Sequence, residues 1–205
     1  MKNNCKVKVG VFVSGGGTNL GALIDAQKSG KLSSGEISLV VSNKSGVYAL
    51  ERAKNAGIKS VVFDKTEYKT QQDFESGVKK VLEENQIEVI VLAGFLKILS
   101  KEFINSYKNK IINVHPSLIP AFCGEGYYGL KVHQSALEKG VKVTGATVHF
   151  VNEIPDGGEI IFQKAVKVKN GDTPEVLQRR VMEEAEWKLL PKATEKVCKD
   201  ILKRR

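Results

Sequence analysis

The sequence predicts an α/β fold, a doubly wound and mostly parallel sheet with an antiparallel C-terminal extension and a long C-terminal helix. Three observations predict it. Short β-branched runs alternate with segments of helical spacing five times within residues 7–139. The first run empties into a glycine-rich loop that opens a helix. Late in the chain, two strand-type runs follow one another with only a short loop between them, too short for a crossover helix.

Residues 7–13 are β-branched and apolar, the pattern of a strand buried on both faces. Ser14-Gly15-Gly16-Gly17-Thr18-Asn19 follows, and then Leu20, Leu23, Ile24 and Gln27 at helical spacing, with Gly30 as a stop. Strand, glycine loop and helix together form an anion cradle, because glycines admit a close approach and the first N–H groups of the helix face outward. The pattern is not GxGxxG: counted from Gly15, the third glycine falls on Leu20. No Gly-Lys-Ser/Thr follows either. The second strand (37–42) ends in Ser42-Asn43-Lys44, with no acid for a ribose diol. A dinucleotide is therefore disfavoured, and a phosphomonoester held by Gly17, Thr18 and Asn19 fits better. A turn needed only for helix–sheet packing is the alternative.

A helix over 47–56 stops at Gly57, a strand covers 60–63, and a helix over 70–85 places Phe74, Val78, Val81 and Leu82 on one side. Val89-Ile90-Val91-Leu92 is a central strand running into Ala93-Gly94-Phe95. Ser100 caps a helix that carries Phe103, Ile104 and Tyr107. The fifth strand ends in Ile111-Ile112-Asn113-Val114-His115, closed by Pro116 and Pro120. Asn113 and His115, two apart in extended backbone, project to the same face. An amide beside an imidazole suits carbonyl chemistry: the amide holds a developing oxyanion and the imidazole moves a proton. A turn-bonding Asn beside a packed His is the other reading. In such sheets ligands bind beyond the carboxyl ends of the strands. The glycine loop, the Gly94 loop and the Asn113/His115 pair all fall on that edge.

Residues 121–129 (AFCGEGYYG) read as a mobile loop by composition. A helix over 130–139 carries His133, read as a packing residue, and a strand over 141–150 carries His149, read as structural. Pro155 and the pair Gly157-Gly158 shape a loop around Asp156, and residues 160–167 return as a strand. Thr173-Pro174 opens the last helix as cap and first residue, and Pro191 is expected to kink or divide it.

Of the 205 residues, 41% are hydrophobic and 27% charged, an ordinary globular composition, and residues 1–205 parse most simply as one domain. No apolar run reaches the roughly 20 residues of a membrane span, and the N-terminal apolar run is too short for a signal peptide. A cytoplasmic protein without a membrane partner is expected. Cys5, Cys123 and Cys198 are odd in number and far apart, which disfavours a disulfide framework. No metal-ligand spacing is present, so no metal is expected. The net charge of +9 comes from dispersed lysines without interleaved aromatics, so nucleic acid is disfavoured and small anionic substrates are the better match.

The motifs SGGGTNL, AGFLKILS, INVHPSLIP, GATVHFV and DGGEII, in this order and spacing, resemble the glycinamide ribonucleotide transformylases (phosphoribosylglycinamide formyltransferases) over roughly residues 7–190. The pairing of HPSLIP with DGG is specific to the wider formyltransferase superfamily. The resemblance implies a Rossmann-like formyltransferase fold and transfer of a formyl group from 10-formyltetrahydrofolate, a co-substrate, to the amine of glycinamide ribonucleotide. It implies a catalytic trio of Asn113, His115 and Asp156, with Asp156 raising the pKa of His115 toward or above neutrality. It places the substrate phosphate on Gly17, Thr18 and Asn19, and the nucleotide substrate against Glu186. It places the folate against Leu96, Lys97, Ile98, Leu99 and Asn113, and against the loop Asn152, Glu153, Ile154, Pro155 and Asp156. Gln71 stands where the family often has an Arg that reaches the folate. Extra residues follow Pro120, and the family's Glu-His pair reads Glu186-Trp187 with a one-residue length difference. A monomer or homodimer is expected. Methionyl-tRNA formyltransferase and formyltetrahydrofolate deformylase share the superfamily but usually carry a further C-terminal or N-terminal domain, for which this sequence has no room.

Overall fold

A computed structural model describes residues 6–205; Cys5 lies outside them. Seven strands form one sheet, in chain order β1 (Val7–Val13), β2 (Gly35–Ser42), β3 (Ser60–Val62), β4 (Val89–Leu92), β5 (Ile111–His115), β6 (Val143–Phe150) and β7 (Ile160–Lys167). Their order in space is β3-β2-β1-β4-β5-β6-β7. The first five run parallel, while β6 is antiparallel to both β5 and β7. The helices are α1 (Thr18–Lys28), α2 (Tyr48–Asn55), α3 (Gln71–Glu84), α4 (Lys101–Ser106), α5 (Leu130–Glu138), α6 (Pro174–Val181) and α7 (Trp187–Lys203).

Strand alternation sorts the core onto two faces. Val7, Val9, Val11 and Val13 of β1 join Leu20, Leu23 and Ile24 of α1, Ala49 of α2 and Leu190 of α7. Phe12, pointing the other way, joins Phe74 and Val78 of α3 and Phe103 of α4. The sheet is thus covered on both sides, as parallel strands require. Because β1 lies between β2 and β4, the strand order reverses there, and the loops after β1 and β4 open side by side into a crevice.

The C-terminal helix is divided, but not at Pro191. The break is a single π-helical stretch, Met182–Glu186, and Pro191 lies inside α7. A π turn takes one more residue per hydrogen-bonded ring than an α turn. It is the natural place for a one-residue excess to be absorbed without ending the helix. Among the described residues no helix is long and apolar enough to cross a membrane.

Candidate active site

The crevice is built around the end of β5. Register pairs Asn113 with His149 and His115 with Thr147 across the antiparallel β5–β6 ladder. The β6–β7 ladder slips between Val148 and His149, and such a bulge re-aims the side chain beside it. The His149 imidazole, which sequence reasoning assigned to structure, stands in the site: its Nε2 is 3.3 Å from Asn113 Nδ2 and 3.5 Å from Asp156 Oδ1. Its Nδ1 lies 2.8 Å from the Phe150 carbonyl oxygen. A carbonyl only accepts, so Nδ1 carries the hydrogen and Nε2 is left to accept from Asn113.

Asp156 arrives from the turn Ile154-Pro155-Asp156-Gly157, closed by Gly157 N–H donating to the Ile154 carbonyl at 2.9 Å. Pro second and a positive φ third is the type II pattern, and the third place normally takes Gly. Asp156 adopts φ 55° there. Asn152 shapes the same turn, accepting from Ile154 N–H at 3.0 Å and donating to the Gly157 carbonyl at 3.1 Å. Gly158 is required next: a Cβ would fall 1.7 Å from the Phe150 carbonyl oxygen. The carboxylate so presented lies with Oδ2 3.3 Å from His115 Nδ1, and Asn113 Nδ2 approaches Oδ1 at 3.5 Å.

The Gly/Tyr loop, read as mobile, is fastened to this group. The Phe122 carbonyl accepts from His115 Nε2 at 2.8 Å, and Gly124 N–H donates to Asp156 Oδ2 at 2.9 Å. Cys123 between them donates its thiol to the Pro120 carbonyl, and burial together with Asp156 raises its pKa, which disfavours the thiolate.

The electrostatics correct one expectation. Burial pulls the pKa of His115 below its ordinary value; Asp156 and the Phe122 carbonyl push upward without outweighing it. His115 is neutral at pH 7, with its hydrogen on Nε2 and its Nδ1 lone pair toward Asp156. Burial pushes the Asp156 carboxyl up, but His149, His115 and Gly124 N–H pull harder, and its pKa ends below the ordinary value. His133 is fully buried on α5 and stays neutral, its pKa driven down to about 4 by burial and then by His115.

Two recesses flank the group. A cleft of about 120 Å³ runs between the loop after β4 and the Asp156 turn, with Asn113, His149 and Asp156 at its inner end and Phe95, Leu99 and Ile104 in its walls. Ile98 and Ile154, 70% and 61% exposed, face solvent at its rim. Lys101 and Glu153 pair at 2.6 Å beside it. Gln71, placed by resemblance among the folate contacts, donates to the Ile98 carbonyl and to Glu75, each at 2.8 Å. On the other side, Gly17 ends the glycine loop in a left-handed conformation (φ 67°), and a Cβ there would lie 2.7 Å from Ala49 Cβ. Thr18 and Asn19 then open α1 with their N–H groups outside the helical ladder. The Asn19 side chain is already engaged, donating to Glu186 Oε2 at 2.7 Å. Thr18 Oγ1 reaches Met182 Sδ at 3.8 Å, so the π turn is tied to the start of α1 at two points. Burial drives the Glu186 carboxyl up to about 7, against a downward pull from Asn19. A larger groove of about 880 Å³ runs between α1 and α7. It meets this region at Thr18 and at Glu183 of the π turn, and Asn113, His115, His149 and Asp156 do not line it.

Residues 7–194 match the formyl transferase family model. The chain is 51% identical over 193 residues to a trifunctional purine biosynthetic protein adenosine-3 of Gallus gallus, covering 94% of this chain but 18% of that protein. It is 39% identical over 197 residues to a chloroplastic phosphoribosylglycinamide formyltransferase of Arabidopsis thaliana, covering 96% of this chain and 67% of the relative. A solved glycinamide ribonucleotide transformylase 1 from Symbiobacterium toebii superposes with TM-score 0.89 at 36% identity, covering 97% and 90% of the two chains. A phosphoribosylglycinamide formyltransferase from Brucella melitensis superposes with TM-score 0.86 at 38% identity, covering 95% and 96%.

Proposed function

Because the chain belongs to the formyl transferase family, beside its phosphoribosylglycinamide formyltransferases, we propose that it transfers the formyl group of 10-formyltetrahydrofolate to the amine of glycinamide ribonucleotide, a step of purine biosynthesis. One observation carries the reading: Asn113, His149 and Asp156 gather within 3.5 Å contacts at the inner end of an apolar cleft, with His115 behind them against Asp156, on the same sheet edge as the Gly17–Asn19 cradle. The cleft suits a flat heterocycle, with Leu92, Phe95, Ile104 and Val151 around it and the backbone of residues 152–156 along one side. The cradle suits the phosphomonoester of the acceptor, held by backbone N–H groups at the start of α1, with Glu186 at the end of the π turn beside it.

The acceptor amine attacks the formyl carbon, and negative charge builds on the formyl oxygen. Asn113 donates its amide hydrogen to that oxygen; one such donor is worth roughly 3–4 kcal/mol of barrier. His149 holds the Asn113 amide in place. The attacking nitrogen becomes cationic and must lose a proton. Neutral His115 takes it on Nδ1, the ring nitrogen left bare because Nε2–H is given to the Phe122 carbonyl. The Asp156 carboxylate, 3.3 Å away, stabilises the imidazolium that forms. The proton then passes to the departing folate nitrogen, directly or through water.

The test is turnover by the purified chain with 10-formyltetrahydrofolate and glycinamide ribonucleotide, followed by release of tetrahydrofolate. Formylation of another amine instead, such as a sugar nucleotide or methionyl-tRNA, overturns the acceptor. No formyl transfer to any of them overturns the reading.

A further inference from the structure

The rim of the cleft poses a physical problem. Residues 96–99 form no helix or strand, yet they offer Leu96 and Ile98 to solvent, 55% and 70% exposed. A free segment would lose affinity through the cost of ordering it on binding. This one is fastened at almost every residue. Leu96 N–H donates to Ser14 Oγ at 2.9 Å. Lys97 Nζ sits 4.5 Å above the Phe74 ring. The Ile98 carbonyl accepts from Gln71 Nε2 at 2.8 Å. Ser100 donates to Glu75 twice, N–H to Oε1 at 2.7 Å and Oγ–H to Oε2. Glu75 Oε1 also accepts from Gln71 at 2.8 Å.

Three of these anchors stand at i, i+3 and i+4 on α3, one helix face. Glu75 is 6% exposed and has no cationic partner among its hydrogen bonds. A buried carboxylate is costly unless its oxygens are filled, and here the donors that fill them belong to the segment and to the residue that grips it. We propose that Glu75 is a positioning residue for the formyl donor: with Gln71 and Phe74 it forms a brace on α3 that fixes residues 97–100 and so presents Ile98 across the cleft. The inference rests on the reading of this cleft as the folate site.

The experiment compares the wild type with Glu75→Ala, Glu75→Gln and Gln71→Ala. It measures calorimetric binding of tetrahydrofolate and steady-state constants for both substrates. Glu75→Ala should weaken tetrahydrofolate binding and raise KM for 10-formyltetrahydrofolate about tenfold, with kcat and KM for the acceptor within about twofold. Glu75→Gln can keep the Oε1 bonds and donate to Ser100 Oγ, so it should restore most of the loss. Gln71→Ala, at an exposed position that folding tolerates, should raise the donor KM about threefold. Equal loss in every constant, or unchanged donor binding in Glu75→Ala and Gln71→Ala, overturns the brace while leaving the function standing. A wild type that binds no tetrahydrofolate overturns the folate reading and the brace with it.

Discussion

Two carboxylates, Asp156 in the cleft and Glu186 behind the start of α1, hold protons in opposite ways. Asp156 receives Gly124 N–H at 2.9 Å and has His115, His149 and Asn113 within 3.5 Å; despite burial its pKa falls below the ordinary value. Among the described residues Glu186 has a single hydrogen-bond partner, Asn19, and burial drives it up to about 7. Both are withdrawn from water, Glu186 more completely than Asp156, and their neighbours add to that difference. A carboxylate that receives the Gly124 and Asn113 N–H groups and stands beside two imidazoles stays charged and serves as a fixed counter-charge; a more deeply buried one that receives Asn19 balances between its forms near neutrality. In the proposed mechanism the Asp156 side stabilises an imidazolium, whereas the Glu186 side can gain or lose a proton as its neighbourhood changes.

The largest break in this comparison is Asp156→Asn. Asn tolerates a left-handed backbone at least as well as Asp, so the turn should persist and only the charge should go. We expect kcat to fall by about 10²–10³-fold, since the imidazolium loses its counter-charge. Asp156 is the strongest upward influence on His115, so its removal leaves burial less opposed and moves the His115 pKa lower still. The acidic limb of kcat/KM against pH should therefore move to lower pH. An unchanged limb with an unchanged rate would remove Asp156 from the mechanism. Next in size is His149→Leu, which deprives Asn113 of its acceptor. A misplaced oxyanion donor can cost up to about 10²-fold, and kcat should fall with little change in acceptor KM. If kcat holds, Asn113 is oriented by something else.

How much of this was legible in the sequence depended on how local each signal was. The order of strands and helices followed from apolar periods, and Asn113 beside His115 from the two-residue repeat of a strand. Both need only neighbouring residues. His149 was missed because its place depends on a cross-strand register and on a bulge in the next strand. The one available signal was that β6 antiparallel to β5 would set His149 opposite Asn113. The pKa of His115 was expected upward because the charge of Asp156 could be foreseen and the burial around the ring could not. Gln71 stands where the resemblance expects a folate contact; that it also donates to Ile98 and Glu75 is a fact of tertiary packing that the sequence did not show. Pro191 pointed to the wrong break, because the π turn at Met182–Glu186 has no residue signature of its own. Only the one-residue length difference hinted at it.

The smallest effect isolates Glu186. A carboxyl whose folded pKa lies above its unfolded value binds more protons in the folded state between the two, so stability falls as pH rises through that interval. For Glu186 the interval runs from the ordinary 4.5 to about 7. The loss across it is on the order of 3 kcal/mol at 1.36 kcal/mol per unit. Glu186→Gln keeps an oxygen to accept from Asn19 and removes the titration. Denaturant unfolding at pH 5 and pH 8 should then show the wild type losing stability that the variant keeps, with the variant the more stable of the two at pH 8. The corresponding exchange Asp156→Asn should show no such gain, because Asp156 is already ionised above its own lowered pKa. Parallel wild-type and Glu186→Gln curves between pH 5 and 8 would mean that donors other than Asn19 reach Glu186, and the contrast between the two carboxylates would collapse.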